Sequence, residues 1–233
     1  MQHPPYSQPY YLAIFLILST VAISFLAATR LEGEQLALLI HEGGIVELLS
    51  ALGYLACLAI ILRQGGLSFA RQHWYFVVIL AAFSAREFDL DKRFTAVGIL
   101  KSKFIVSPEV GLFAKFIGVA IVCLILLAIG QILWRYSRPF LLKVWRFKPL
   151  ELAIGLAGAF LVIAKNLDGI GRKLADFTIS LGVNMQAKLM YLEESLELAI
   201  PYLLCLAASY YFANNERRSP IENELSSCES IAN

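Results

Sequence analysis

The sequence predicts an all-α polytopic membrane protein, a bundle of about six transmembrane helices, and three observations carry that prediction. Hydrophobic residues make up 58% of the 233-residue chain and charged ones only 16%. The mean hydropathy is +0.66, well above that of soluble domains. Several predominantly apolar runs reach the roughly 18–20 residues needed to cross the hydrocarbon core.

The elements follow in chain order. Residues 10–29 and 110–134 meet the length test outright, 44–62 meets it apart from Glu47, and 196–213 meets it apart from Glu197 and Pro201. Two segments, 74–85 and 150–164, are short and run into polar sequence at their C-terminal sides. Counting them gives six spans. Leaving them as re-entrant pieces covered by protein or a wet cavity gives four or five.

Residues 1–213 read as one transmembrane domain without repeat or linker, and 214–233 as a polar, disordered cytoplasmic tail. The first span has no Lys or Arg before it and is longer than a signal-peptide core, so we expect it to be retained; F-L-A-A-T at its end is a weak cleavage-like sequence. The loop R-Y-S-R-P-F-L-L-K-V-W-R-F-K-P carries five basic residues and no acid, which places it in the cytoplasm. Six spans then put both termini in the cytoplasm, with Arg63, Arg71, Arg217 and Arg218 on the same side. The opposite side is also basic, from Arg30 and Arg86 through Lys165, Arg172, Lys173 and Lys188, but there the bases are interspersed with acids. Short loops without a large ectodomain suit an inner membrane.

The composition narrows the function classes. A net charge of +2 with no basic arm excludes nucleic acid as a partner, leaving membrane lipids as the expected surroundings and protein partners open. Cys57, Cys123 and Cys205 fall in apolar runs and Cys228 in the tail, with no C-x-x-C pair. Tyr10, Tyr11, Trp74, Trp134, Trp145, Tyr210 and Tyr211 sit near span ends, as an interfacial belt places them.

The polar residues inside this apolar chain are the candidate site. H-E-G-G-I-V-E opens the second span with His41, Glu42 and Glu47; R-E-F-D closes the third with Arg86, Glu87 and Asp89, followed by Arg93; L-E-E-S-L-E opens the sixth with Glu193, Glu194 and Glu197. Alternation of six spans brings these three ends to one face of the membrane. If the third span needs about 20 residues, S-A-R-E-F-D continues its helix below the headgroups and lines a polar cavity in the non-cytoplasmic half. Spacings of three or four support shared faces for Arg86 and Asp89, Glu87 and Asp91, Asp89 and Arg93, and Glu193 and Glu197. Eight acids lie in these segments against six nearby bases, so some carboxylates are left to take a proton or a cation.

Three functions fit. The first is binding of a cation or of protons for transport or another membrane process. For a divalent ion, an all-oxygen set of Glu42, Glu87, Asp89, Glu193 and Glu194 favours calcium or magnesium. Zinc is disfavoured, because His41 is the one histidine near the set and H-E-x-x-H does not occur; Glu-x-x-His pairs for a di-iron centre do not occur either. The second is a lipid-directed membrane enzyme using the same carboxylates, with Arg86 or Arg93 on a phosphate; Ser84 and Ser195 have no histidine to activate them. The third is an accessory subunit whose charges form a structural ion-pair network. The segment 168–183 is basic with an apolar face and is expected to lie along the membrane near the cavity mouth, and Lys165, Asn166 and Asp168 to add a further wall.

Overall fold

The computed structural model describes residues 7–31, 44–90, 98, 103–108, 110–175 and 182–231, with the side chains at 146, 175 and 216–231 left aside. Every element among them is helical: α1 (Gln8–Ala28), α2 (Ile45–Gln72), α3 (Trp74–Glu87), α4 (Lys103–Val106), α5 (Leu112–Lys143), a 3-10 turn (Val144–Arg146), α6 (Pro149–Leu167), α7 (Ile170–Ala175) and α8 (Val183–Ile231). Five of these, α1, α2, α5, α6 and α8 as far as Asn215, are long and apolar enough to cross a membrane. The chain is an all-α, multi-pass membrane bundle.

The third of the six expected spans is α3, and its 14 residues fall short. At 1.5 Å per residue it is about 21 Å long, against a hydrocarbon core of about 30 Å. The other short segment grows instead. Lys165, Asn166 and Leu167 continue the helix that 150–164 begins, giving α6 its 19 residues. Asn166 stays helical by turning its Nδ2 onto the Val162 carbonyl one turn back, at 2.7 Å.

Proline and glycine set the helix ends. α1 and α6 each carry proline in the first turn, where its missing N–H is one the helix leaves unbonded anyway. Inside α2, Gly66 has φ 71 and ψ 176, a conformation that bends the chain and separates a long apolar segment from a short one that leads through His73 into α3. α3 thus returns antiparallel along α2.

α8 is the centre of the bundle, packed along α6, α2 and α1, while α3 lies between α2 and α5. The core joins Tyr54, Cys57 and Ile61 of α2 to Leu80 of α3, Ala153 and Ala157 of α6, and Ile200, Leu203 and Ala207 of α8. Small residues let these helices approach closely. One close approach is Gly53 against Pro201, where a Cβ on the glycine would stand 2.9 Å from that of the proline. Outward, α1 and α5 expose Phe15, Ile23, Phe113, Phe116, Leu127 and Trp134, the apolar surface a lipid-facing helix presents.

The start of α1, the end of α2, the start of α3, the end of α5 and the start of α6 meet at one end, which is rich in aromatic contacts. Tyr11 donates to the Phe147 carbonyl at 2.9 Å, the Tyr75 and Tyr136 hydroxyls bond at 2.9 Å, and Tyr10 meets Tyr210 edge to face. α8 passes through this end and continues as helix to Ile231, into the stretch 214–233 expected to lack structure. That stretch contains no glycine and has Pro220 as its single strong helix breaker.

Candidate functional site: a polar cavity at one end of the bundle

The opposite end holds a half-open cavity of about 760 Å³. α2 supplies Val46, Glu47 and Ser50, and α3 supplies Arg86 and Glu87, with Asp89 just beyond its end. α6 and the turn into α7 supply Lys165, Leu167, Asp168, Gly169, Ile170, Gly171 and Arg172; α8 supplies Gln186, Met190, Glu193, Glu194 and Glu197. Among the described residues the lining holds seven carboxylates and three cationic side chains.

An ion-pair arrangement crosses the floor between three helices. One amino nitrogen of Arg86, Nη2, donates to both oxygens of Glu197 at 2.8 Å each. Lys165 Nζ lies 3.7 Å from Glu197 Oε1 and 3.1 Å from Asp168 Oδ2. The Glu197 side chain is 13% exposed and that of Arg86 35%. Glu87 is more enclosed at 7%, and its carboxylate stands 4.0 Å from Arg86 Nε, too far for a hydrogen bond.

Helix geometry gives the depth of this pair. Arg86 is twelve residues along α3 from Trp74, about 18 Å, and Glu197 is thirteen residues along α8 from Tyr210, about 20 Å. From the other direction, Lys188 donates to the Thr29 carbonyl at the end of α1 at 2.9 Å, and Glu197 lies nine residues further along α8, about 14 Å. The pair is roughly three-fifths of the way from the aromatic end to the end of α1.

Proline adds a feature at the same level. Pro201 has no N–H to give to the Glu197 carbonyl four residues back, so α8 lacks one backbone bond where its carboxylate holds Arg86. Nearby hydroxyls are taken up by backbone: Ser84 Oγ donates to the Ala51 carbonyl at 3.3 Å and Ser195 Oγ to the Tyr191 carbonyl at 2.8 Å.

Of the expected site residues, the cavity brings together Glu47, Arg86, Glu87, Asp89, Glu193, Glu194 and Glu197. Glu42, Arg93 and His41 lie outside the described residues. Two local expectations change. The helix carrying S-A-R-E-F-D ends at Glu87: the Phe88 N–H reaches the Ser84 carbonyl, the Asp89 N–H bonds the Arg86 carbonyl at 3.0 Å, and Asp89 takes φ 50. Aspartate tolerates this left-handed conformation better than most residues. Arg86 and Asp89 therefore do not share a helical face, and the partners Asp91 and Arg93 lie outside the described residues. L-E-E-S-L-E does not open the sixth span either, because α8 begins nine residues earlier at Val183.

That earlier start explains the lining residues that the apolar pattern does not reveal. Gln186, Met190, Glu193, Glu194 and Glu197 follow one another at helical spacing, a face that emerges once the helix is extended backward. Ser50 sits three residues after Glu47 on the same principle. In the segment 168–183 a six-residue helix forms, and the Arg172 side chain folds back to where a Cβ of Gly169 would be, at φ 64.

Among the described residues, no three His, Cys, Asp or Glu side chains gather closely enough to hold a metal ion. The four described members of the calcium or magnesium set, Glu87, Asp89, Glu193 and Glu194, are spread around the wall. The chain matches no known family model, no curated protein and no solved structure.

Proposed function

We propose that the protein binds cations, protons included, in this cavity and couples that binding to transport or another membrane process. The observation that carries the reading is the charge balance of the wall, seven carboxylates to three cationic groups among the described residues, with Arg86 and Lys165 already engaged by Glu197 and Asp168. Surplus carboxylates in a confined space attract positive charge. On this reading the cavity opens to the non-cytoplasmic side of an inner membrane, both termini face the cytoplasm, and lipid surrounds α1 and α5. Ionisable groups at depth in a bilayer are costly and by default mark ion and proton paths.

The direct test is cation uptake by proteoliposomes. Under an imposed potential, vesicles holding the purified chain should accumulate protons or a cation faster than empty vesicles, and Glu87→Gln should remove the difference. Wild-type vesicles that match empty ones for protons, sodium, potassium and organic amines would sink the reading.

One observation favours a second reading. Arg86, Glu197 and Lys165 tie α3, α8 and α6 together, as an accessory subunit with a structural network requires. The backbone-bonded Ser84 and Ser195 hydroxyls leave a lipid-directed enzyme without a nucleophile from either serine.

A further inference from the structure

α5 carries a second concavity, away from the polar cavity. An open groove of about 760 Å³ lies between α5 and the first residue of α3, walled by Trp74, Leu126, Leu127 and Trp134. Gly130 lines it too, and an added Cβ there would meet nothing within 4 Å. Glycine inside a helix costs stability relative to alanine, and no close helix contact requires this one among the described residues. Its missing side chain leaves the recess open. From Cys123 to Trp134 is eleven residues, so the groove follows α5 for about 16 Å.

The row that lines the groove leads into charge. Cys123, Leu127, Gly130, Trp134 and Arg138 recur at spacings of four, three, four and four, which sets them along one stripe of α5, and Gln131 and Arg135 flank that stripe four apart. All of them are exposed. Arg138 comes one turn after Trp134, about 6 Å further along. The Arg135 guanidinium lies 6.0 Å from the Tyr136 ring, and the bond between the Tyr136 and Tyr75 hydroxyls ties α5 to α3 at the mouth of the groove. The segments that form the groove bring no acid against these arginines: residues 110–150 hold no Asp or Glu, and neither do residues 48–86. Arg71 and Lys143 add positive charge at the same end.

We propose that this groove seats a diacyl phospholipid with an anionic headgroup. An acyl chain lies along Leu127 and Gly130 between the two tryptophans, the ester region meets the Gln131 amide, and the phosphate is drawn to Arg135 and Arg138. Charge selects the headgroup, because a basic cluster beside a membrane span attracts an acidic lipid, whereas a zwitterionic one has no net charge to offer. A second copy of the chain is the poorer occupant. Two-fold pairing through this face, about an axis along the membrane normal, would set the arginines of both copies at one level, where like charges repel. The proposal is independent of the cation reading of the polar cavity.

The experiment is tryptophan quenching in phosphatidylcholine vesicles, on the full chain carrying Trp145→Phe, so that the two tryptophans left, Trp74 and Trp134, both line the groove. Phosphatidylglycerol brominated on its acyl chains should quench as a lipid held about fivefold or more tighter than brominated phosphatidylcholine. Arg135→Gln with Arg138→Gln, at exposed positions, should bring the two lipids level, and Gly130→Leu, which fills the recess, should do the same by a different route. Equal quenching by the two lipids in the chain with its arginines intact would overturn the proposal. A preference for phosphatidylglycerol that persists in both variants would also overturn it, by placing the selection elsewhere. Cross-linking of two chains by a short bismaleimide in vesicles containing phosphatidylglycerol, lost in Cys123→Ser, would give the groove to a second copy instead; the expected product is uncross-linked chain.

Discussion

Arg86 holds Glu197 through one nitrogen placed 2.8 Å from each carboxylate oxygen. That geometry lets a single contact link α3 to α8 while the rest of the guanidinium faces the cavity. Removing the arginine leaves a carboxylate only 13% exposed with the more distant Lys165 as its remaining cation among the described residues. Because Arg86 is itself about a third exposed, the expected loss for Arg86→Met is about 1–3 kcal/mol, below the figure for a fully buried pair. Thermal unfolding in detergent should register it, and Arg86→Met with Glu197→Gln should recover part of the loss in a double-mutant cycle. Additive losses would mean that the pair is not coupled.

The approach of α2 to α8 gives a steric prediction. A Cβ at Gly53 would lie 2.9 Å from Pro201 Cβ and 3.0 Å from its Cγ, and the proline ring cannot swing aside. Gly53→Ala should destabilise by about 1–3 kcal/mol through overpacking. Gly158→Ala meets nothing within 4 Å and should gain up to about 1 kcal/mol from helix propensity. Equal midpoints for the two variants would contradict the packing.

At Gly66 the cause is backbone rather than space. A Cβ there would meet nothing within 4 Å, yet φ is +71. Gly66→Ala should cost about 1–2 kcal/mol, while Gly130→Ala, in an open helical position of α5, should not. Unfolding midpoints of the pair, compared in one detergent, decide it.

Sidedness can be read chemically. Cysteine at Glu193 should react with a membrane-impermeant maleimide added from the non-cytoplasmic side, and cysteine at Arg138 only from the cytoplasmic side, in a chain with Cys57, Cys123, Cys205 and Cys228 replaced. Labelling of both from one side would refute the alternation of helices, and reversed sides would refute the orientation.

Much of the fold is legible in the sequence because apolar length is a strong signal: α1, α2 and α5 start or end within a few residues of the runs that predict them. Helix ends in polar sequence are less so. Lys165 to Leu167 lengthens α6, and 183–195 adds more than three turns to α8, because charged residues facing a cavity carry no apolar signature. The end of α3 is hidden for the opposite reason. The spacing of Arg86, Glu87 and Asp89 fits a helix, and the turn at Asp89 uses a residue type that allows helix and left-handed backbone alike. Which acidic segments share a cavity follows from alternation. That Arg86 selects Glu197 over its neighbour Glu87 depends on interhelical distances that no single-chain pattern encodes.

The cavity floor has an electrical consequence. If water and ions fill the cavity down to Arg86 and Glu197, the membrane voltage does not fall evenly across the bilayer. It drops mostly over the apolar remainder of the bundle, about 18–20 Å between that pair and the aromatic end. A charge arriving at Glu197 has then crossed little of the potential. Almost all of the roughly 2.3 kcal/mol per elementary charge per 100 mV is concentrated on the step past Tyr54, Leu80 and Leu203, where the field is steeper than in the surrounding lipid.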